Sequence, residues 1–382
     1  MSRSLAIPGY FRKHQMVGGV ASVFQNLSRG IEAVLATDDQ YRDLKVVVFH
    51  GPAGTPYRSA AFEYLETGDR LGRFAAESRM AALRGSEFDA ILFPNYFTPP
   101  IVRARRAVTV IHDLLHVRFP EVVPWRKRLW LTAAQHWTLR RADAVVTITS
   151  SVRDDVLERY GKRWSDQVTP IWNPIAFDRL NGTATQQVTA GRPYLLGVAV
   201  DRPSKNLSTL IRAFKLLRER APDHCLVLVG ELRSSRPARE RNIGQAESKL
   251  PSTVELVRDL GLTEHVKITG FVTDEELGAL YRGASAFVLP SLLEGFGMPP
   301  IEAMALGVPT LVTDIPPLRE VTMGRAHYLS DPMNAAELAQ RILAIIEAGG
   351  EAKPTAETVS LFRESYAPPT IARRYLELLL PS

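Results

Sequence analysis

Glu294 and Glu302 stand eight positions apart in the segment Glu294-Gly-Phe-Gly-Met-Pro-Pro-Ile-Glu302. A buried-strand pattern, Ala286-Phe-Val-Leu289, precedes it. Pro299 and Pro300 suit a first helical turn, and Gly307 suits the end of a short helix. Helix N-termini carry free backbone N–H groups and partial positive charge, so anions settle there. Gly295 and Gly297 let the backbone come close to a ligand. Two carboxylates, one before the helix and one in its first turn, can each accept hydrogen bonds from hydroxyl groups. The combination suits a molecule with phosphate in its middle and a polyol at each end, as in a nucleotide sugar. The plain alternative is a strand–loop–helix with surface glutamates.

Breaking a sugar–phosphate bond requires the leaving diphosphate to be stabilised, by a metal or by fixed cations and amides. The chain holds no Asp-x-Asp triplet. His112 and His116 have an i,i+4 spacing, but Asp113-Leu-Leu between them reads as strand end and turn, which argues against a shared metal. Arg202 and Lys205, in Asp201-Arg-Pro-Ser-Lys-Asn206, follow a strand pattern and open a helix. Cations are disfavoured at that end of a helix dipole, so a functional cause outweighs mere solvation. Arginine grips phosphate with two parallel bonds and lysine acts as a compact charge. A second glycine turn, Met16-Val-Gly-Gly-Val-Ala-Ser22, offers Gly18 and Gly19 as backbone donors, although glycine pairs start many helices.

These residues need a scaffold, and the rest of the chain supplies its pattern. Short apolar runs alternate with helical stretches from end to end, which predicts an α/β protein with parallel sheets and helices on both faces. Strands are expected at 4–8, 44–50, 88–93, 108–112, 144–148 and 168–172, with helices at 19–33, 73–83, 124–141 and 151–160. Asn173-Pro174 breaks the series, and Asn181-Gly-Thr-Ala-Thr-Gln-Gln187 has linker character. A second series then begins at Tyr194, with strands at 195–199, 225–229, 266–269, 285–289 and 310–313. The expected helix 206–220 carries Leu207, Leu210, Ile211, Phe214 and Leu217 on one face. The pattern reads as two Rossmann-like domains, 1–175 and 190–366, with ligands beyond the carboxyl ends of the strands and a cleft between the domains as the natural site.

The stretch Ser291-Leu-Leu-Glu-Gly-Phe-Gly-Met-Pro-Pro-Ile-Glu-Ala-Met-Ala-Leu-Gly-Val-Pro309, continued by Pro317-Leu-Arg-Glu-Val321, closely resembles the E-x7-E segment of retaining GT-B-fold glycosyltransferases of family four. The resemblance implies the GT-B layout, with the nucleotide-sugar donor held by the C-terminal domain, the acceptor by the N-terminal domain, and the last helix, within 367–382, returning to the first domain. It implies that Glu294 touches the donor sugar's hydroxyls and Glu302 the ribose, and that amides at Gly295, Phe296 and Gly297 cup sugar and phosphate. Arg202 and Lys205 lie where the family places its diphosphate-binding cations, although Ser204 stands where many relatives carry arginine directly before Lys-Asn. Gly18 and Gly19 resemble the N-terminal loop that reaches phosphate and acceptor. His112 and Asp113, in Val110-Ile-His-Asp-Leu114, resemble the His-Asp motif, in which the histidine contacts the transferred sugar. His116 is either an acceptor contact or a bland loop residue. Gly270-Phe-Val272 resembles the loop that holds the base, with Phe271 either covering the base or sitting in the core. His-Asp-Leu with Phe119-Pro120, and Trp172-Asn-Pro174, are similar to mannosyl- and rhamnosyltransferases of surface polysaccharide synthesis.

Composition is consistent with these expectations. The chain has 382 residues, 45% hydrophobic and 23% charged, with a formal charge of +6. That is ordinary for a globular protein with two cores. No apolar run reaches spanning length, no signal peptide is evident, and the single Cys225 excludes an internal disulfide, which together suit a cytoplasmic enzyme. Trp125-Arg-Lys-Arg-Leu-Trp130, with Trp137 and Arg140-Arg141, mixes rings and cations. Packing on the N-terminal sheet is favoured for it, with peripheral membrane contact as the alternative. The expected partners are a nucleotide-sugar donor and a glycan or lipid-linked glycan acceptor, with no nucleic acid, no metal and no cofactor. Rival readings are a silent nucleotide-sugar-binding protein and another GT-B enzyme such as a nucleotide-sugar hydrolase.

Overall fold

The structure is a computed structural model that describes residues 3–9, 19–52, 54–66, 73–94, 97–118, 120, 123–182, 188–232 and 252–381. The chain divides into two compact units, Met1–Ala176 with Ser365–Ser382, and Phe177–Glu364.

The first unit holds strands β1 (Ser4–Pro8), β2 (Lys45–His50), β3 (Phe62–Glu66), β4 (Ala90–Phe93), β5 (Arg106–Ile111), β6 (Ala144–Thr147) and β7 (Val168–Pro170). They form one parallel sheet in the order β3-β2-β1-β4-β5-β6-β7. Parallel neighbours need crossovers, which place helices over the sheet and turn central strands into continuous apolar runs. In β2, Val46, Val47, Val48 and Phe49 are all buried. The order reverses at β1, so loops leaving β1 and β4 flank the ligand position of this sheet.

The C-terminal helix Pro368–Leu379 belongs to this unit and packs on helix Gly19–Thr37. Gly30 permits the approach, since a Cβ there would fall 2.1 Å from the Pro368 carbonyl oxygen. Ile371, Ala372, Tyr375, Leu376 and Leu379 form its buried face. Just before it, Tyr366 stacks on Trp172 with centroids 4.9 Å apart and accepts a backbone bond from Ile175.

The second unit holds β8 (Tyr194–Val198), β9 (Cys225–Val229), β10 (Val266–Gly270), β11 (Ala286–Leu289), β12 (Thr310–Thr313) and β13 (His327–Leu329). This sheet is also parallel, in the order β10-β9-β8-β11-β12-β13. Its core joins Leu195, Leu226, Leu228 and Val288 of the sheet to Leu210, Phe214, Leu338 and Ile342 of covering helices. Cys225 is buried and unbridged. Helices Thr253–Asp259 and Asp274–Gly283 each start on a capping box, Ser252 with Glu255 and Thr273 with Glu276.

Two strands were not anticipated, β3 and β13, one at an edge of each sheet. The helix expected from residue 206 runs Leu207–Leu217. Asn206 itself is left-handed, with φ 52°, and follows a separate 3-10 turn, Pro203–Lys205.

Candidate functional site

In the second unit the strand order reverses between β8 and β11, so the loops leaving those two strands meet at the position where such sheets take ligands. The β8 loop carries Arg202 and Lys205, and the β11 loop carries Glu294. Backbone and side-chain bonds tie the two loops together. Leu292 N–H donates to the Ser204 carbonyl at 2.8 Å, and Asn206 Nδ2 donates to the carbonyls of Pro290 at 3.1 Å and Pro332 at 2.6 Å. Asparagine tolerates the left-handed conformation this requires, which sets it at the junction of the 3-10 turn and the helix. Across the tied loops, Lys205 Nζ donates to Glu294 Oε1 at 2.6 Å. Their side chains are 22% and 8% exposed, so cation and carboxylate face each other in partial shelter from water. Arg202 lies nearby in the same loop and is exposed.

The β11 loop ends on Gly297, which has φ +90° and precedes helix Met298–Ala305. A Cβ on Gly297 would also come within 2.7 Å of Leu318 Cδ2, so both backbone and space require glycine here. Phe296 is buried.

Glu302 points into a different neighbourhood from Glu294. It is only 3% exposed. Arg179 binds its Oε1 and also reaches Asp274, while Tyr281 donates its hydroxyl to Glu302 Oε2 at 3.0 Å. Burial raises the Glu302 carboxyl above its ordinary range, against the lowering pull of Arg179 and the Tyr281 bond. Burial, with Glu302 beside it, also holds Tyr281 well above a free phenol, so Tyr281 stays a donor. A carboxylate oxygen can accept more than one hydrogen bond, so these two partners do not exhaust Glu302's acceptor capacity. Arg179 and Tyr281 were not anticipated. Arg179 lies 123 residues from its carboxylate partner, and no local pattern signals a pairing across that distance.

After β10, Gly270 adopts φ +73° with nothing within 4 Å of an added Cβ. Phe271 is 70% exposed, which settles against its being a core residue, and Val272 is half-buried beside it.

In the first unit, Gly19 opens helix Gly19–Thr37 and an added Cβ there would meet nothing within 4 Å. Gly18 lies outside the described residues, as does Phe119. His112 follows β5 and is buried, its Nε2 donating to the Pro94 carbonyl at 2.8 Å just past β4. Asp113 is half-buried. His116 lies on the short helix Leu115–Arg118 rather than in a loop, and is 2% exposed. Burial lowers its pKa, and its Nε2 has no hydrogen-bond partner among the described residues.

The structure thus brings Lys205 and Glu294 into contact, sets Arg202, Gly295, Phe296 and Gly297 in the same pair of loops, and separates Glu302 into a buried cluster with Arg179. Gly19, His112, Asp113 and His116 belong to the other unit. Among the described residues no three His, Cys, Asp or Glu side chains gather as a metal cluster would.

Helix Trp125–Arg141 packs through one narrow stripe and leaves its large rings outside. Its buried stripe is Ala134, Gln135, Thr138 and Leu139. Trp125, Leu129, Trp130 and Trp137 are 61%, 61%, 50% and 37% exposed. Arg126, Lys127, Arg128, Arg140 and Arg141 accompany them, with no acid in the helix. No described helix is long and apolar enough to cross a membrane.

Comparison with known proteins fits this geometry. Residues 18–174 match the model of the glycosyl transferase 4-like domain, and residues 184–358 that of glycosyl transferases group 1. The O-antigen chain mannosyltransferase B of Escherichia coli is 28% identical over 258 residues, 65% of this chain and 63% of that protein. The chain therefore spans less than two thirds of this curated relative. Sucrose-phosphate synthase from Thermosynechococcus elongatus superposes with a TM-score of 0.70 at 19% identity, covering 98% of each chain. HepE from Anabaena, solved with UDP-glucose, gives a TM-score of 0.69 at 16% identity, covering 99% of each chain. Both show the fold, which is GT-B.

Proposed function

Because the chain belongs to the glycosyltransferases whose two domain models it matches, we propose that it moves a hexose, with mannose favoured, from a nucleoside diphosphate sugar to a glycan or lipid-linked glycan. The observation that carries this reading is the Lys205–Glu294 pair where the strand order reverses in the second sheet. The pair sets a cation beside a carboxylate; in this reading the cation serves the diphosphate and the carboxylate the sugar hydroxyls. The mannosyltransferase relative supports the choice of hexose, and the UDP-glucose complex of a protein with the same fold supports the class of donor.

In this reading the configuration at the anomeric carbon is retained and no metal takes part. Lys205 and Arg202, with the amides of Gly295, Phe296 and Gly297, stabilise the departing diphosphate, and that phosphate helps deprotonate the acceptor hydroxyl. Preorganised donors of this kind act strongly because they need no rearrangement as charge develops. Glu294 orients the sugar, and Glu302 takes the ribose hydroxyls. Gly270, Phe271 and Val272 hold the base. Gly18, Gly19, His112 and Asp113 serve the phosphate, the transferred sugar and the acceptor from the first unit.

The exposed tryptophans and cations of helix Trp125–Arg141 favour contact with an anionic bilayer surface, where ring and cation together suit the interface. A lipid-linked acceptor on the cytoplasmic face is consistent with that contact.

The test offers nucleoside diphosphate sugars differing in base and hexose, and follows thermal stabilisation and slow hydrolysis of the donor. Stabilisation and hydrolysis by one donor support the reading. No response to any member of the panel counts against it.

A further inference from the structure

Arg179 is two residues past the start of the second unit and belongs to no motif that the proposed function uses. Its guanidinium is mostly buried, and it forks between Glu302 and Asp274. Glu302 meets it from helix Met298–Ala305, and Asp274 and Tyr281 meet it and Glu302 from helix Asp274–Gly283. A carboxylate this deeply covered has several orientations open to it only if its partners are missing. With Arg179 on Oε1 and Tyr281 on Oε2, both oxygens are fixed in place.

We infer that Arg179 is a positioning residue for the donor: it holds the Glu302 carboxylate in the orientation that receives the ribose hydroxyls of a nucleoside diphosphate sugar. This rests on the proposed function, since it assigns Arg179 a part in the same site. The arrangement divides the labour. Asp274 occupies the second arm of the guanidinium and stops it from swinging away, and Tyr281 fixes the opposite oxygen. Lysine in place of Arg179 keeps the charge but loses the fork that reaches two acids at once.

Removing Arg179 has two consequences for Glu302. The carboxylate loses its orientation, and it loses the neighbouring positive charge that opposes the effect of burial, leaving burial and Asp274 to raise it and only the Tyr281 bond to lower it. Its proton is then taken up at higher pH. Because kcat/KM reports the free enzyme, its acid limb moves to higher pH in the variant.

The experiment measures donor KM, kcat and the pH dependence of kcat/KM for wild type, Arg179→Gln, Arg179→Lys, Glu302→Gln and the double variant Arg179→Gln/Glu302→Gln, each checked for native circular dichroism. Arg179→Gln is expected to raise donor KM by roughly tenfold or more, as for loss of a charged hydrogen-bond partner, with kcat changed far less and the acid limb moved up. Arg179→Lys raises KM less and leaves the limb in place. The double variant matches Glu302→Gln, because Arg179 acts through that carboxylate. A folded Arg179→Gln with donor KM within about twofold of wild type, or a double variant as weak as the product of the singles, overturns the inference. Should Arg179→Gln not fold, a wild-type donor KM in Arg179→Lys overturns it as well. Wild type that transfers sugar while Glu302→Gln binds donor normally also overturns it and leaves the proposed function standing. Wild type that neither binds nor transfers overturns the proposed function itself.

Discussion

Lys205 and Glu294 sit 89 residues apart in the chain and 2.6 Å apart in space. Each is the other's charge partner in a half-sheltered setting, so deleting either leaves an uncompensated ion. Lys205→Ala is expected to reduce kcat by about 10²- to 10³-fold, the scale of a lost transition-state donor, with the effect read from steady-state transfer kinetics. Turnover within about twofold of wild type would contradict the role given to Lys205. Gly297 makes a separate prediction about stability. Its φ of +90° and the 2.7 Å approach of Leu318 mean that Gly297→Ala strains both backbone and packing. Denaturant unfolding is expected to show a loss of about 1–3 kcal/mol with an unchanged m-value. The strand–loop–helix that carries both carboxylates of the 294–302 segment was legible in the sequence, because an apolar run followed by glycines and prolines marks its turns. Their different surroundings were not legible. Arg179 and Tyr281 reach Glu302 through the tertiary fold, and His116 is buried on a helix too short for a hydrophobic period to announce.

Helix Trp125–Arg141 shows how an element can be found while its faces stay unassigned. Its ends were clear, because Pro124 precedes it and the chain breaks at Ala142 before β6. The buried face is Ala134, Gln135, Thr138 and Leu139, not the large rings. Small residues let this helix lie close, and Gln135 is held there by the Tyr160 hydroxyl at 2.9 Å. The rings are left outside among cations. A charge-reversed variant with Arg126, Lys127 and Arg128 all changed to Glu is expected to lose binding to vesicles containing anionic lipid, each cation contributing about 1 kcal/mol near such a surface. Flotation with vesicles of phosphatidylcholine alone and with added phosphatidylglycerol reads this. Binding that is equal in both vesicle types, or unchanged in the variant, would remove the membrane contact from the account. The edge strands β3 and β13 escaped detection for a different reason. Phe62-Glu-Tyr-Leu-Glu66 buries only Phe62 fully and so shows no clean alternation, and His327-Tyr-Leu329 is too short to set a period.

At the scale of the whole chain, the central strands were legible because buried parallel strands advertise themselves as apolar runs. The C-terminal run Ser365–Ser382 completes the first unit, which the chain leaves at Ala176 and rejoins at Ser365. Ile371, Tyr375, Leu376 and Leu379 each bury a large side chain there, worth about 1.5–3 kcal/mol apiece as area removed from water. Together that is comparable with the entire stability of a typical domain. Truncation before residue 365 is therefore expected to abolish cooperative unfolding of the first unit while the second unit's transition survives, as calorimetry would show. Gly30→Val, which meets the Pro368 carbonyl, is expected to act in the same direction. The central claim is that a nucleoside diphosphate sugar is held at Lys205 and Glu294, and calorimetric titration tests it most directly. GDP-mannose, UDP-glucose and their nucleoside diphosphates are titrated into wild type and Lys205→Ala. The account predicts saturable binding of at least one donor to wild type, weakened by roughly tenfold or more in the variant. Equal affinity in the two proteins, or no binding of any donor to wild type, would contradict it.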